Sequence, residues 1–123
     1  MSVEVRSSAP TRVDLAGGTL DIWPLYLFHP GAQTVNAAIG LRASCSVTPS
    51  SDGRIHIVSN GAGTELTADD WHDLDTEGGH RLIAHIARFF RVANVCIATE
   101  ATSPLGAGIA GSSALNVAVC AAL

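Results

Sequence analysis

The sequence predicts an α+β fold, a two-layer α/β sandwich of sheet and helices. Three observations lead to it. Apolar residues make up 47% of the 123 positions and charged residues 15%, which favours a packed core over disorder. Period-two alternation marks strands around 41–48 and 54–59. Helical periods mark two helices, near 80–92 and from 112 to the last residue. One domain of 1–123 fits the length.

Taken in order, Val3 to Ser8 reads as a short strand that Ala9-Pro10 breaks. Thr11 to Leu15 reads as a second strand, running into an Ala16-Gly17-Gly18 turn. Asp21 is placed to cap a short helix through Phe28, with Pro24 in its first turn. His29-Pro30-Gly31 ends that element. Leu41 to Thr48 puts Leu41, Ala43, Cys45 and Val47 on one face. Ser51-Asp52-Gly53 then turns the chain into Arg54 to Ser59, and the pair reads as a hairpin. In the helix over 80–92, Leu82, Ile86, Phe89 and Phe90 share a face. Val95 to Glu100 is a strand, followed by a Gly-rich loop over 103–111 and a helix that is apolar on most sides. That helix ends without a Gly cap or basic last turn, so the sequence is expected to be a cut through a larger protein. The exposed apolar helix is expected to promote self-association of the fragment.

Several function classes are disfavoured at once. Net charge is −4, with seven Arg and no Lys. No basic stripe offers a nucleic-acid surface, and a Walker A loop needs a Lys. Cys45, Cys96 and Cys120 are scattered and suggest reduced thiols in a cytoplasmic protein. There is no apolar run of membrane-spanning length. His29, His56, His72, His80 and His85 lack metal-ligand spacing, and Asp69, Asp70, Asp73, Asp75 and Glu77 read as a solvated patch.

Chemistry concentrates in two clusters. The first is Ser103-Pro104-Leu105-Gly106-Ala107-Gly108-Ile109-Ala110-Gly111-Ser112-Ser113-Ala114, between a strand and a helix. Glycines let backbone N–H groups approach a ligand. The unpaired N–H groups and dipole of a helix start attract an anion, typically phosphate. Ser112 and Ser113 add hydroxyls. The bland alternative is a loop capped by Ser112. A second alternative is the dinucleotide fingerprint, since Gly106, Gly108 and Gly111 match its spacing. Ser103-Pro104 separates strand from glycine, however, and the sequence given ends before the position about 20 residues on where the fingerprint's acidic residue is expected.

The second cluster is Ala9-Pro10-Thr11-Arg12-Val13-Asp14-Leu15-Ala16-Gly17-Gly18-Thr19-Leu20-Asp21. An Arg is a rigid cation suited to phosphate. An Asp beside a tight turn can accept hydrogen bonds from sugar hydroxyls. Read singly, Arg12 is a solvated charge and Asp21 a helix cap.

Together the clusters resemble the GHMP kinases, the superfamily of galactokinase, homoserine kinase, mevalonate kinase and phosphomevalonate kinase. Pro10 to Asp21 is similar to their first motif and Pro104 to Ala114 to their second. Their third, a C-terminal Gly-rich segment, has no counterpart in 1–123. The loop is one residue longer than the shortest family form, with Ala110 where longer forms carry Gly. Galactokinases carry Glu-His before Thr-Asp, whereas this chain has Gly18-Thr19-Leu20-Asp21. The Ala-Gly-Gly-Thr turn and Val35-Asn36-Ala37-Ala38-Ile39 look closer to the heptose-phosphate and fucose kinase branch.

The resemblance implies a ribosomal-protein-like N-terminal domain with a left-handed βαβ crossover, without the C-terminal domain. It implies ATP with Mg²⁺, and γ-phosphoryl transfer to a small-molecule acceptor, a sugar or sugar phosphate. Pro104, Gly106, Ala107, Gly108, Ile109, Ala110, Gly111, Ser112 and Ser113 would line the ATP phosphates. Ser113 would ligate Mg²⁺ and Arg12 would stabilise the transferred group. Gly18, Thr19 and Asp21 would hold the acceptor. The catalytic base would lie beyond Leu123, leaving the isolated chain inactive. A non-catalytic nucleotide-binding module on the same scaffold is the alternative of a different class.

Overall fold

The computed structural model describes residues 3–60, 63–104 and 106–123. Five strands form one mixed sheet: β1 (Val5–Ala16), β2 (Val35–Pro49), β3 (Ile55–Ser59), β4 (Thr64–Ala68) and β5 (Val95–Ala101). Three helices accompany it: α1 (Leu25–Phe28), α2 (Arg81–Phe90) and α3 (Gly111–Ala122). The strand order is β1-β2-β5-β3-β4, so β5, last in sequence, lies in the centre. It runs antiparallel to β2 and parallel to β3, which makes β3-β4-α2-β5 a crossover connection.

Alternation along each strand puts one face against the helices. Ala9 and Thr11, Ala43 and Cys45, Ile55 and Ile57, Ile97 and Thr99 are all buried. Against them lie Ala114, Ala118, Val119 and Ala122 of α3, and Ile83, Ala84, Ile86 and Ala87 of α2. Small residues on α3 allow close approach to β1 and β2, and the Ser7 hydroxyl donates to the Ala118 carbonyl. A fully buried Ile contributes about 1.5–3 kcal/mol. Cys45 is in this layer, and burial pushes its thiol up to about 11. It is therefore inert at neutral pH, whereas Cys120 is exposed.

Four expectations are corrected. Pro10 does not break the first strand. β1 is an edge strand, where a missing N–H is tolerated, and a bulge between Pro10 and Arg12 absorbs the irregularity. Asp21 caps no helix: α1 begins only at Leu25, after Pro24, and has no side-chain cap. β2 and β3 do not form a hairpin. β5 separates them, because β2 already pairs β1 along its length and β3 turns instead into β4. On α2 the buried stripe runs through Ile83, Ile86 and Ala87, while Phe89 is 82% exposed. The bland alternative for the loop falls as well: α3 starts at Gly111 after a left-handed Ala110, so Ser112 is inside the helix and caps nothing.

Asp69, Asp70, Asp73, Asp75 and Glu77 are exposed as expected, while Leu74 among them is buried in the core. Asp69 pairs with Arg54, and Asp70 accepts from the His72 backbone N–H, which with the His72 ring holds its carboxyl below the usual range. His56 lies between Asp52 and Glu65, at 3.0 and 3.1 Å. Hydrogen bonding to Asp52 first, then Glu65, raises its pKa. Among the described residues no helix is long and apolar enough to cross a membrane.

Among the described residues large apolar side chains are exposed at several places, two of which are clusters. Trp23 and Phe28, each 71% exposed, flank the start of α1 and its end. Phe89, Phe90 and Leu82 line a groove of about 310 Å³ between α2 and α3. Large exposed apolar patches drive association. Residues 1–123 in isolation are expected to bind a hydrophobic dye and to elute above monomer mass in size-exclusion chromatography with light scattering. A dilution-stable, dye-negative monomer would contradict this.

Candidate functional site

The two clusters meet at one end of the sheet. β5 ends at Ala101, and the chain passes through the loop to the N-terminus of α3. Thr102 anchors the loop's start: its hydroxyl accepts from the Arg42 N–H at 2.9 Å and its N–H donates to the Arg42 carbonyl at 3.1 Å. From the other side, β1 is an edge strand whose outward N–H groups are available. The N–H of Arg12 donates to the Ile109 carbonyl at 3.2 Å. That bond joins the Arg-bearing strand to the centre of the glycine loop.

The loop is shaped by backbone conformation. Gly106 and Gly108 have φ of +76° and +69°, in the left-handed region that glycine enters without penalty. A Cβ added at either would meet nothing within 4 Å, so the space before them is open. Ala110, the departure noted in the sequence, also adopts φ +59° and forms the turn into α3. Gly111 is different: a Cβ there would press on the Ser103 hydroxyl at 2.7 Å. Pro104, Gly106, Ala107 and Gly108 are exposed, Ile109 and Ala110 half-buried, and Ser112 and Ser113 exposed in the first turn of α3. α3 thus directs its unpaired N–H groups and positive dipole end towards this loop. Leu105 is outside the described residues.

Arg12 lies beside two carboxylates. Its Nε donates to Asp14 Oδ1 at 3.2 Å, and its guanidinium is 4.0 Å from Asp21 Oδ2. All three side chains are partly exposed. The turn that brings Asp21 back is closed by Leu20 N–H to Gly17 carbonyl at 2.9 Å and by the Thr34 hydroxyl on the same carbonyl at 3.1 Å. Gly18 packs directly against Asp14, and Thr19 is exposed in the turn.

Arg12 touches both of the other expected partners, Asp21 through its guanidinium and the loop through its backbone N–H. Asp14 was missed as a member, although its position two residues after Arg12 on one strand was a usable signal, since i and i+2 share a face. Thr34 and Thr102 were also missed; nothing local in the sequence marks them. The dinucleotide alternative fits the geometry poorly. That fingerprint needs a strand running straight into its first glycine in a parallel βαβ unit. Here β5 stops five positions before Gly106 and pairs antiparallel with β2.

Solved structures of similar fold are known. A D-glycero-D-manno-heptose 1-phosphate kinase from Bacteriodes thetaiotaomicron matches 94% of this chain at 32% identity and TM-score 0.80, over 40% of its own length. A protein described as a sugar kinase, from Campylobacter jejuni, matches 97% at 26% identity and TM-score 0.72, over 38% of its length. Mevalonate kinase of Methanococcus jannaschii matches 98% at TM-score 0.71, but at 14% identity that likeness is of fold alone. The chain therefore spans about two fifths of the length of the structures it matches. No protein-family model matches it, and no curated protein does.

Proposed function

Because this chain belongs to the GHMP kinase superfamily and has the fold of its N-terminal domain, we propose that it supplies half of an ATP-dependent sugar or sugar-phosphate kinase site. The observation that carries the proposal is the Arg12–Ile109 hydrogen bond. It joins the backbone of the Arg12 strand to the glycine loop before α3, so that a permanent cation and an anion-attracting helix start belong to neighbouring segments, which supports a site for a transferring phosphoryl group.

In this reading the backbone N–H groups of Gly106, Gly108, Gly111 and Ser112 hold the ATP phosphates. Charge-assisted bonds of that kind contribute about 1.5–3 kcal/mol each. Arg12 faces the γ-phosphate and neutralises charge that spreads over its oxygens during transfer. Asp21, with Gly18 and Thr19 in the same turn, accepts hydrogen bonds from the acceptor's hydroxyls. Phosphoryl transfer is mostly positioning and charge stabilisation, and these groups provide both.

Among the described residues no three His, Cys, Asp or Glu side chains gather to hold a metal by themselves. The Ser113 hydroxyl would be one ligand for a Mg²⁺ ion accompanying ATP, which when bound would supply charge screening at the phosphates.

The test uses the full-length protein with Mg-ATP and a panel of sugars and sugar phosphates, following ADP release. ATP-dependent phosphorylation of one panel member is expected. Asp21→Asn should raise the acceptor KM by about tenfold, roughly the effect of one hydrogen bond to a charged group, and leave ATP affinity unchanged. Equal losses for both ligands would remove Asp21 from the acceptor side. ATP binding without transfer to any acceptor would make the protein a binding module.

A further inference from the structure

Arg12 is a long side chain on an edge strand, partly exposed, and an unrestrained guanidinium there would sample many rotamers. A cation stabilises a transition state only if it is already in place, because reorganisation during reaction removes most of its benefit. The structure contains the restraint. Asp14 lies two residues along the same face of β1, and its Oδ1 accepts from Arg12 Nε at 3.2 Å. Engaging Nε fixes the plane of the guanidinium and leaves the terminal nitrogens free for other partners, one of them 4.0 Å from Asp21 Oδ2.

Asp14 is restrained in turn. A bulge between Asp14 and Ala16 bends the end of β1, and the turn folds Gly18 back onto the Asp14 side chain. A Cβ at Gly18 would stand 2.5 Å from Asp14 Oδ2 and 2.8 Å from Asp14 Cβ. Gly18 has no left-handed φ, so its backbone does not need glycine. What needs glycine is the space taken by the Asp14 carboxylate. A residue expected from the resemblance to touch the acceptor is thus explained by its contact with Asp14.

We propose that Asp14 is a positioning residue that orients Arg12 beside the glycine loop, and that Gly18 serves to leave room for its carboxylate. This rests on the reading of Arg12 as the cation at the transferred phosphoryl group. Asp14 touches neither ATP nor acceptor; it acts through Arg12.

The experiment is a mutant cycle in the full-length protein, with kcat and both KM values measured on Mg-ATP and the best acceptor of the sugar and sugar-phosphate panel. Arg12→Ala is expected to lower kcat by on the order of 10²–10³-fold. Asp14→Ala should lower kcat by about tenfold or more with little change in the KM for ATP, as misplacement of a catalytic group does. Asp14→Asn, which keeps an acceptor oxygen, should recover much of that loss. In the Arg12→Ala background, Asp14→Ala should change kcat by less than about twofold, the non-additivity of residues acting as a unit. Gly18→Ala should reproduce the Asp14→Ala loss, and combining the two should be no worse than either.

Additive losses for Arg12→Ala and Asp14→Ala, or unchanged kcat in Asp14→Ala beside an impaired Arg12→Ala, would overturn the positioning role alone. A fully active Arg12→Ala, or a parent protein that phosphorylates nothing, would overturn the underlying reading as well.

Discussion

Gly108→Val is expected to abolish ATP binding by the full-length protein while leaving it folded. Gly108 has φ +69°, a region that a β-branched residue resists. Left-handed backbone costs an ordinary L-residue about 1–2 kcal/mol, so the loop should relax to another conformation. No packing is lost, because nothing lies within 4 Å of where the new side chain begins. That open space is where phosphate oxygens are placed, and the relaxed loop would misdirect the N–H groups meant for them. Losing two charge-assisted bonds at about 1.5–3 kcal/mol each removes two or more decades of affinity. Calorimetric titration of Mg-ATP and a thermal melt of the same sample check both halves. Retained affinity would take Gly108 out of the phosphate site, and global unfolding would make the glycine structural.

Ile97→Ala is expected to give the largest loss of stability of any single truncation considered. Ile97 is fully buried on β5, the central strand of the five, where it pairs with Val47 and Ile57. Truncating a core Ile to Ala costs about 2–5 kcal/mol, the larger values where the cavity cannot collapse. Phe89→Ala is the matched control. Phe89 is larger, yet 82% exposed, and surface changes stay within about ±0.5 kcal/mol. Urea denaturation of residues 1–123 should therefore show a much lower midpoint for Ile97→Ala and a nearly unchanged one for Phe89→Ala. The reverse ranking would contradict the strand order and restore the helix face that periodicity first suggested.

That pair of residues shows where sequence reading stopped. The Leu82, Ile86, Phe89, Phe90 face of α2 is a sound helical stripe, but the neighbouring stripe through Ile83 and Ala87 is equally periodic. Which one meets the sheet is decided by the docking angle of α2, and local pattern does not contain it. Strand order was hidden for a similar reason. The Ser51-Asp52-Gly53 turn is real, yet the pairing partner of β3 is chosen by β5, nearly forty residues away. Pro10 misled because its effect on a strand depends on whether the strand is an edge, a tertiary property.

Part of the geometry around the candidate site was legible as well. Gly106 and Gly108 were singled out for backbone reasons, and their positive φ values bear that out. Arg12 and the loop are about a hundred residues apart in sequence, and only the coincidence of two motifs linked them before the Arg12–Ile109 bond did. Asp14 went unread because a carboxylate after an Arg on a strand looks like ordinary surface charge; the packing of Gly18 against it sets it apart.

The central claim is that the loop from Gly106 to Ser113, with Arg12 beside it, is a phosphate site for ATP. The most direct measurement is a side-by-side calorimetric titration of the full-length protein with Mg-ATP and with NAD, repeated on Arg12→Ala. Saturable Mg-ATP binding that weakens in Arg12→Ala, with no heat from NAD, is the expected result. Binding of NAD without ATP, or of neither, would contradict the account.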